Sequence, residues 1–520
     1  NPDFNIDFFV MDEIYKISEP DDRSLVFMNC LYRLARMARD FYLIGPYFSD
    51  FSKAFMKSTN ARMIHFESEI VQKDEFYFGP SSRSTTIDIG NKKWQKYKNN
   101  DKNLARIINN IDGQSLVYAG SKRSVETRTK RISDASTVVT DNKYLDALIE
   151  YIESNVSHEW SLIKYLRTGV AFHHAGLPKF VASEIVDAFN AKAIRVIVCS
   201  PTLIEGVNTT ARNVIFAENT KGTEPLSGFD VKNIKGRAGR LGSHFIGRSI
   251  SLVDLPTDEE LDNVDFALFD YDDLTPEENI LLDEEDLSKY NLSERKRIVR
   301  ELDSYHIPIE LIRKNKYIPI FKQVALITTL RNNPDLVECL RFSGAMPKKA
   351  QIDGIIEICF NNLFTEADKG VVNARLQSLS SLKFFTKMYL YGQPTIKDMI
   401  AKHSAAHIDT RVRAVFSLIY KYFEYALPRY LAAFENLYNF VCPEKPINLA
   451  YVITKLEYGF VEDHEISLRE TGLPTNLVNK VAKRFLDCSN VDEVRAKAKI
   501  DPRTLDGLSD FEMAIARKYL

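Results

Sequence analysis

Apolar positions change their period along the chain, and the change divides it. Ile6 to Val10 reads as an apolar run, Leu25 to Ala38 carries helical spacing, and Phe41 to Ile44 is apolar again, which predicts strand, helix and strand. Strands alternating with helices imply a parallel, doubly wound sheet. Between Gly79 and Asn103 the text shifts to Ser, Lys and Asn with little periodicity, as expected of a loop or linker. From Ser115 the alternation resumes in SLVYAG, AFHHAG, IRVIVCS, RNVIFAE and RSISLVD, predicting a second α/β domain. An acidic stretch from Asp258 to Asp286 follows, in which Thr275-Pro276-Glu277-Glu278 has the cap, first-turn proline and carboxylates of a helix start. Beyond it helical spacing dominates, as at Val412, Val415, Phe416, Ile419 and Phe423, then Leu431, Phe434, Leu437 and Val441.

The expected class is therefore α/β, with two doubly wound parallel-sheet domains and a mainly α-helical C-terminal region. The predicted layout runs 1–80 for the C-terminal part of a first domain truncated at its N-terminus, 81–103 for a linker, and 104–255 for the second domain. Residues 256–290 form an acidic connector, and 291–520 the helical region.

Composition narrows the function classes. The 69 basic and 71 acidic residues give no global basic signature, so any nucleic-acid contact must come from local patches. The six cysteines stand far apart without a CxxC pair, which fits a reducing compartment and no structural zinc. No apolar run of about 18 residues and no signal-peptide pattern is present, so a soluble, cytoplasmic protein without membrane contact is expected.

Chemistry concentrates in four segments. Gly236-Arg237-Ala238-Gly239-Arg240, preceded by Asp230, Lys232 and Asn233, sets two arginines three apart among glycines that permit close approach. That suits arginine fingers reaching a triphosphate held by a neighbouring domain, though a basic helix cap on the surface has the same composition. In CSPTLIEGVN a buried strand opens into Ser200, Thr202, Gly206 and Asn208, hydroxyls and amides at the end of a strand where open α/β sheets bind phosphates. The adjacent His173 and His174 of FHHAGLP would point to opposite faces of a strand, which favours packing over metal binding. Phe8 to Met11 ends in Asp12-Glu13: the aspartate can hold magnesium and the glutamate can orient water, or the pair can be a solvated turn. Lys92, Lys93, Trp94, Lys96, Tyr97 and Lys98 form a basic, aromatic patch that either guides a strand by stacking or is a solvated loop.

Together these segments resemble the ordered motifs of superfamily 2 nucleic-acid helicases, most closely the superkiller-like (Ski-like) DExH branch, over Ile6 to Leu255. The chain is also similar to bacterial anti-phage defence helicases of the Hachiman type. The resemblance implies two RecA-like domains that clamp ATP and Mg2+ between them while single-stranded or partly duplex DNA or RNA lies across both. It assigns Asp12 to the metal, Glu13 to the catalytic base, and Arg237 and Arg240 to the trans-domain fingers. Gly206, Asn208 and Asn233 would face the nucleotide, Ser121, Ser200 and Thr202 would hold the strand, and Gly45 and Tyr47 would couple the two.

Two departures stand out: Tyr15 replaces the histidine of the DExH box, and Gly45-Pro46-Tyr47 replaces the usual Ser-Ala-Thr. None of the 21 glycines is followed by lysine, so the phosphate-cradling GxxxxGK[ST] is not in this chain, and a preceding segment is expected to supply it. Two functions remain open at this point. One is an ATP-dependent helicase or translocase; the other is a non-unwinding nucleic-acid sensor or scaffold that regulates an effector partner such as a nuclease.

Overall fold

The computed structural model describes residues 6–18, 40–45, 60–64, 72–89, 92–139, 141–200, 211–239, 246–256, 274–282, 284 and 287–520. It also describes single positions at Phe27, Cys30, Leu31, Arg33, Leu34, Ala35, Met37 and Met56. The chain divides into two compact units, one of residues 1–142, 164–175 and 182–273, the other of 143–163, 176–181 and 274–520.

The first unit opens with strands β1 (Phe8–Met11) and β2 (Asp40–Leu43), paired in parallel. Phe9 and Met11 point inward to a small core with Ile14, Ile17 and Leu31, while Phe8 and Val10 face outward. Next come β3 (Gln72–Tyr77), the hairpin β4 (Thr86–Ile89) and β5 (Lys92–Gln95), helix α1 (Asn100–Asn110) and β6 (Ser115–Tyr118). The chain continues through α2 (Lys122–Asp134), α3 (Lys143–Asn155), α4 (Ser161–Leu166), β7 (Val170–His173), α5 (Lys179–Asn190), β8 (Val196–Cys199) and β9 (Asn213–Phe216). The short ladder β10 (Thr220–Lys221) and β11 (Glu224–Pro225), helix α6 (Gly228–Lys235) and β12 (Ile246–Ser251) complete the unit's described elements.

Six strands form one parallel sheet in the order β3-β12-β9-β6-β8-β7. Strands β6 to β9 are buried at every position, as continuous apolar runs covered on both faces must be. The order reverses at β6, flanked by β8 on one side and β9 on the other, so a switch point opens beyond its carboxyl end.

Two features depart from the sequence-based layout. Strand β3 pairs with β12, so Gln72–Tyr77 hydrogen-bonds into the second sheet although it was assigned to the first domain. Residues expected to be a linker instead build the β4–β5 hairpin and the start of α1, because three isolated apolar side chains, Ile87, Ile89 and Trp94, are buried. Burial removes Trp94 from base stacking, and the Arg106 guanidinium lies 5.6 Å from the ring centres of both Trp94 and Tyr97. Of the expected strand-guiding patch only Trp94 is buried: Lys92, Lys93, Tyr97 and Lys98 are exposed and Lys96 is half-buried.

The second unit is helical. Helix α3 belongs to it by packing: Tyr144 and Tyr151 lie 5.8 and 5.7 Å from the Phe511 ring, and Tyr151 donates to Asn476 at 3.0 Å. The predicted Thr275 capping box is present, with Thr275 accepting from the Glu278 amide at 3.2 Å and Pro276 in the first turn. Helical turns run without interruption from Ile408 to Val441 and bury Val412, Val415, Phe416, Ile419, Phe423, Leu431, Phe434 and Leu437. Within this run Leu418–Ala426 widens to π geometry, just before Pro428, whose missing N–H cannot complete an α turn.

Candidate nucleotide and strand site

Strand β6 delivers Tyr118-Ala119-Gly120-Ser121 to the switch point. Ser121 caps α2, its hydroxyl oxygen accepting from the Ser124 amide at 3.2 Å, which still leaves the O–H proton as a donor. Gly120 is packed so closely on the Thr220 backbone that a Cβ would overlap it, and its N–H donates to Glu218 at 2.7 Å. Glu218, just past β9, also accepts from the Ser124 hydroxyl and pairs with Arg128 at 2.8 Å. Burial would raise its carboxyl pKa, but these donors outweigh that and hold it below the usual carboxylate range. The sequence reading did not single out Glu218; the signal was a carboxylate ending the apolar run of RNVIFAE.

The histidines behave as packed residues. His174 is buried, stacks on Phe172 with ring centres 5.2 Å apart, and meets Glu126 at 3.1 Å. His173 is buried with no partner for Nδ1, and desolvation with the nearby His174 lowers its pKa to about 4. Among the described residues no three His, Cys, Asp or Glu side chains group to hold a metal.

Ser200 follows β8, buried, its amide bonded to the His173 carbonyl at 3.1 Å. Thr202, Gly206 and Asn208 lie outside the described residues, as do Tyr47 and Arg240. Asn233 is half-buried on α6, which begins with a Ser227–Asp230 capping box. After α6 the chain locks onto the sheet: Ala238 bridges Ala211, the Gly239 amide donates to the Ala211 carbonyl at 2.8 Å, and Gly239 takes a φ of 75°. Gly247 of β12 lies beneath, where a Cβ would come within 2.5 Å of the Ala238 carbonyl. Arg237, half-buried, leaves this fixed backbone. Burial pushes the Cys199 thiol up to about 12, with the Arg237 charge acting in the opposite direction.

The acidic tip closes β1. Asp12 is exposed and its Oδ1 accepts from the Glu13 amide at 2.7 Å. Glu13 takes a φ of 54°, turning the chain so that the Ile14 amide reaches the Ile44 carbonyl at 3.1 Å, beside Gly45. Tyr15 lands on Phe229 in the first turn of α6, ring centres 4.8 Å apart. A hard carboxylate oxygen at an exposed strand end is the donor chemistry that magnesium takes, so Asp12 fits that ion.

Residues 141–242 match the family described as helicase conserved C-terminal domain. The chain is 24% identical to Anti-bacteriophage protein B of Escherichia coli K12 over 94% of its own length and 68% of that protein's. Residues 141–242 thus carry the likeness to a helicase C-terminal domain, and the chain as a whole is similar to proteins of the superfamily 2 helicase type. Two proteins named ATP-dependent DNA helicase Hel308, from Thermoplasma volcanium and Thermoplasma acidophilum, are 37% and 35% identical to this chain over 25% of its length, and the matches span 19% of each. The matched family segment contains Ser200, Asn233 and Arg237, while Asp12, Glu13 and Ser121 lie before it. Among the described residues no helix is long and apolar enough to cross a membrane.

Proposed function

We propose that this chain is the strand-gripping and hydrolysis-triggering part of an ATP-driven translocase that moves along single-stranded nucleic acid. The strand is DNA, as the names of the Thermoplasma relatives state for themselves, and the purpose is anti-phage defence, as the name of the E. coli relative states for that protein. The observation that supports this reading is the match of residues 141–242 to the helicase conserved C-terminal domain, a segment that contains both the serine-bearing end of β8 and the arginine segment.

Ser121 and Ser200, with Thr202, donate hydroxyl protons to the phosphodiester backbone, a contact independent of base identity. Glu13 holds the proton of the attacking water, and Asn233, Gly206 and Asn208 orient the nucleotide. Arg237 and Arg240 place positive charge where the transferring phosphoryl group builds negative charge. Magnesium, when held by Asp12, neutralises phosphate charge, and ATP supplies the free energy. Gly45 and Tyr47 follow β2 and relay the state of the acidic tip to the strand.

The test is ATP turnover by the full-length protein with and without single-stranded DNA or RNA, beside a duplex-unwinding assay. Arg237→Ala should lower turnover by roughly 10³ to 10⁵ while leaving strand binding within a fewfold. Wild-type turnover in that variant would overturn the assignment.

A further inference from the structure

Resting on that reading, we propose that Tyr15 is a positioning residue: its ring, packed on Phe229, sets the helix that leads into Arg237 against the acidic tip. Three observations carry the inference. Glu13 has left-handed backbone, a conformation costly for a side chain with a Cβ, and the turn it makes delivers Tyr15 to α6 rather than to the β1–β2 core. Tyr15 is 7% exposed, and its ring centre lies 4.8 Å from that of Phe229 at an interplanar angle of 53°. Phe229 belongs to the first turn of an eight-residue helix anchored at both ends, by the Ser227–Asp230 box and by the Ala238–Ala211 bridge. Phe229 therefore shares one short helix with Asn233, and Arg237 lies two residues beyond that helix.

At this position the resemblance calls for histidine, a polar coupler whose charge varies near neutral pH. An aromatic pair couples by shape, with a preferred tilt. Communication between tip and finger should therefore be insensitive to pH over the range in which a histidine would change state.

The experiment is a double-mutant cycle on the full-length protein with Tyr15→Leu and Phe229→Leu, which keep apolar bulk but remove the rings. Turnover is measured with and without single-stranded DNA, alongside thermal melting. Each single variant should lose about three- to tenfold in kcat and in strand stimulation, KM for ATP should change less than kcat, and the double variant should be no worse than either. Tyr15→Phe should retain wild-type turnover, and its pH profile should match wild type between pH 6 and 8. Glu13→Gln separates the two levels of the argument. If it abolishes turnover while the leucine variants act additively, or Tyr15→Phe is as poor as Tyr15→Leu, the positioning role is overturned and the function stands. If Glu13→Gln turns over normally, the function falls and this inference with it.

Discussion

His173 shows how a conspicuous residue can serve the fold. It lies in a fully buried strand, and desolvation first, then the neighbouring His174, depresses its pKa to about 4 from an ordinary 6.5. Both states are neutral above pH 6.5. Below it the unfolded chain takes up a proton that the folded site refuses, so stability falls as pH drops from 6.5 toward 4. The loss from this group should be about 3 kcal/mol, and urea titrations at pH 7 and pH 4.5 should show His173→Gln losing less stability than wild type over that interval. Glu218 has the opposite character, a carboxylate held ionised by Ser124, Gly120 and Arg128. Glu218→Ala leaves the Arg128 guanidinium, already short of one partner at Nε, without its Glu218 contact. A cost of about 1–3 kcal/mol in denaturant midpoint stability is expected, and a change under 0.5 kcal/mol would show that the pair is screened by water.

The segments that carry chemistry are fixed by backbone devices. Helix α6 starts at a reciprocal Ser227–Asp230 box and ends where the Gly239 amide bonds to Ala211. Ser227→Ala should cost about 1 kcal/mol in thermal stability without moving the far end of the helix. Gly247→Ala is the sharper perturbation, because the added methyl meets the Ala238 carbonyl, a backbone atom that moves only with its segment. It should destabilise by about 1–3 kcal/mol and lower strand-stimulated turnover more than Ser227→Ala does, since it shifts the support of Arg237. Elements with strong periodicity were readable in advance: the buried runs of β6 to β9, the Thr275 cap and the positions from Val412 to Leu437 all lie where their pattern places them. The β4–β5 hairpin was not. Each of its strands is four residues long, and its inward side chains are separated by Asp88, Gly90, Asn91 and two lysines, a composition that mimics a loop.

The two units cut across the order of the sequence. Helix α3 and the first turn of α5 join the helical unit, although both lie inside a stretch that reads as continuous α/β alternation. Their apolar faces find Phe511 and Phe180 as partners, and a face that fits any apolar neighbour carries no label for which one it meets. If strand binding works through phosphates, its affinity should fall steeply with salt, with log K linear in log salt and a slope near −0.7 per contacted phosphate of a single strand. Fluorescence anisotropy with oligonucleotides of mixed and uniform sequence would check both the slope and the lack of base preference.

Motif residues were legible because their chemistry depends on short spacing. Two arginines three apart, or an acidic pair ending an apolar strand, keep that relation in any fold that makes the helix or strand. The sequence therefore determined the class of the sheet and the helical character of the second half, and it nominated the candidate site residues. Tertiary structure alone decided that β3 closes the edge of the second sheet, that Trp94 is buried, that Glu218 ties three elements together and that Tyr15 rests on Phe229. These depend on contacts between residues far apart in the chain, whose geometry is set by packing that local spacing does not encode.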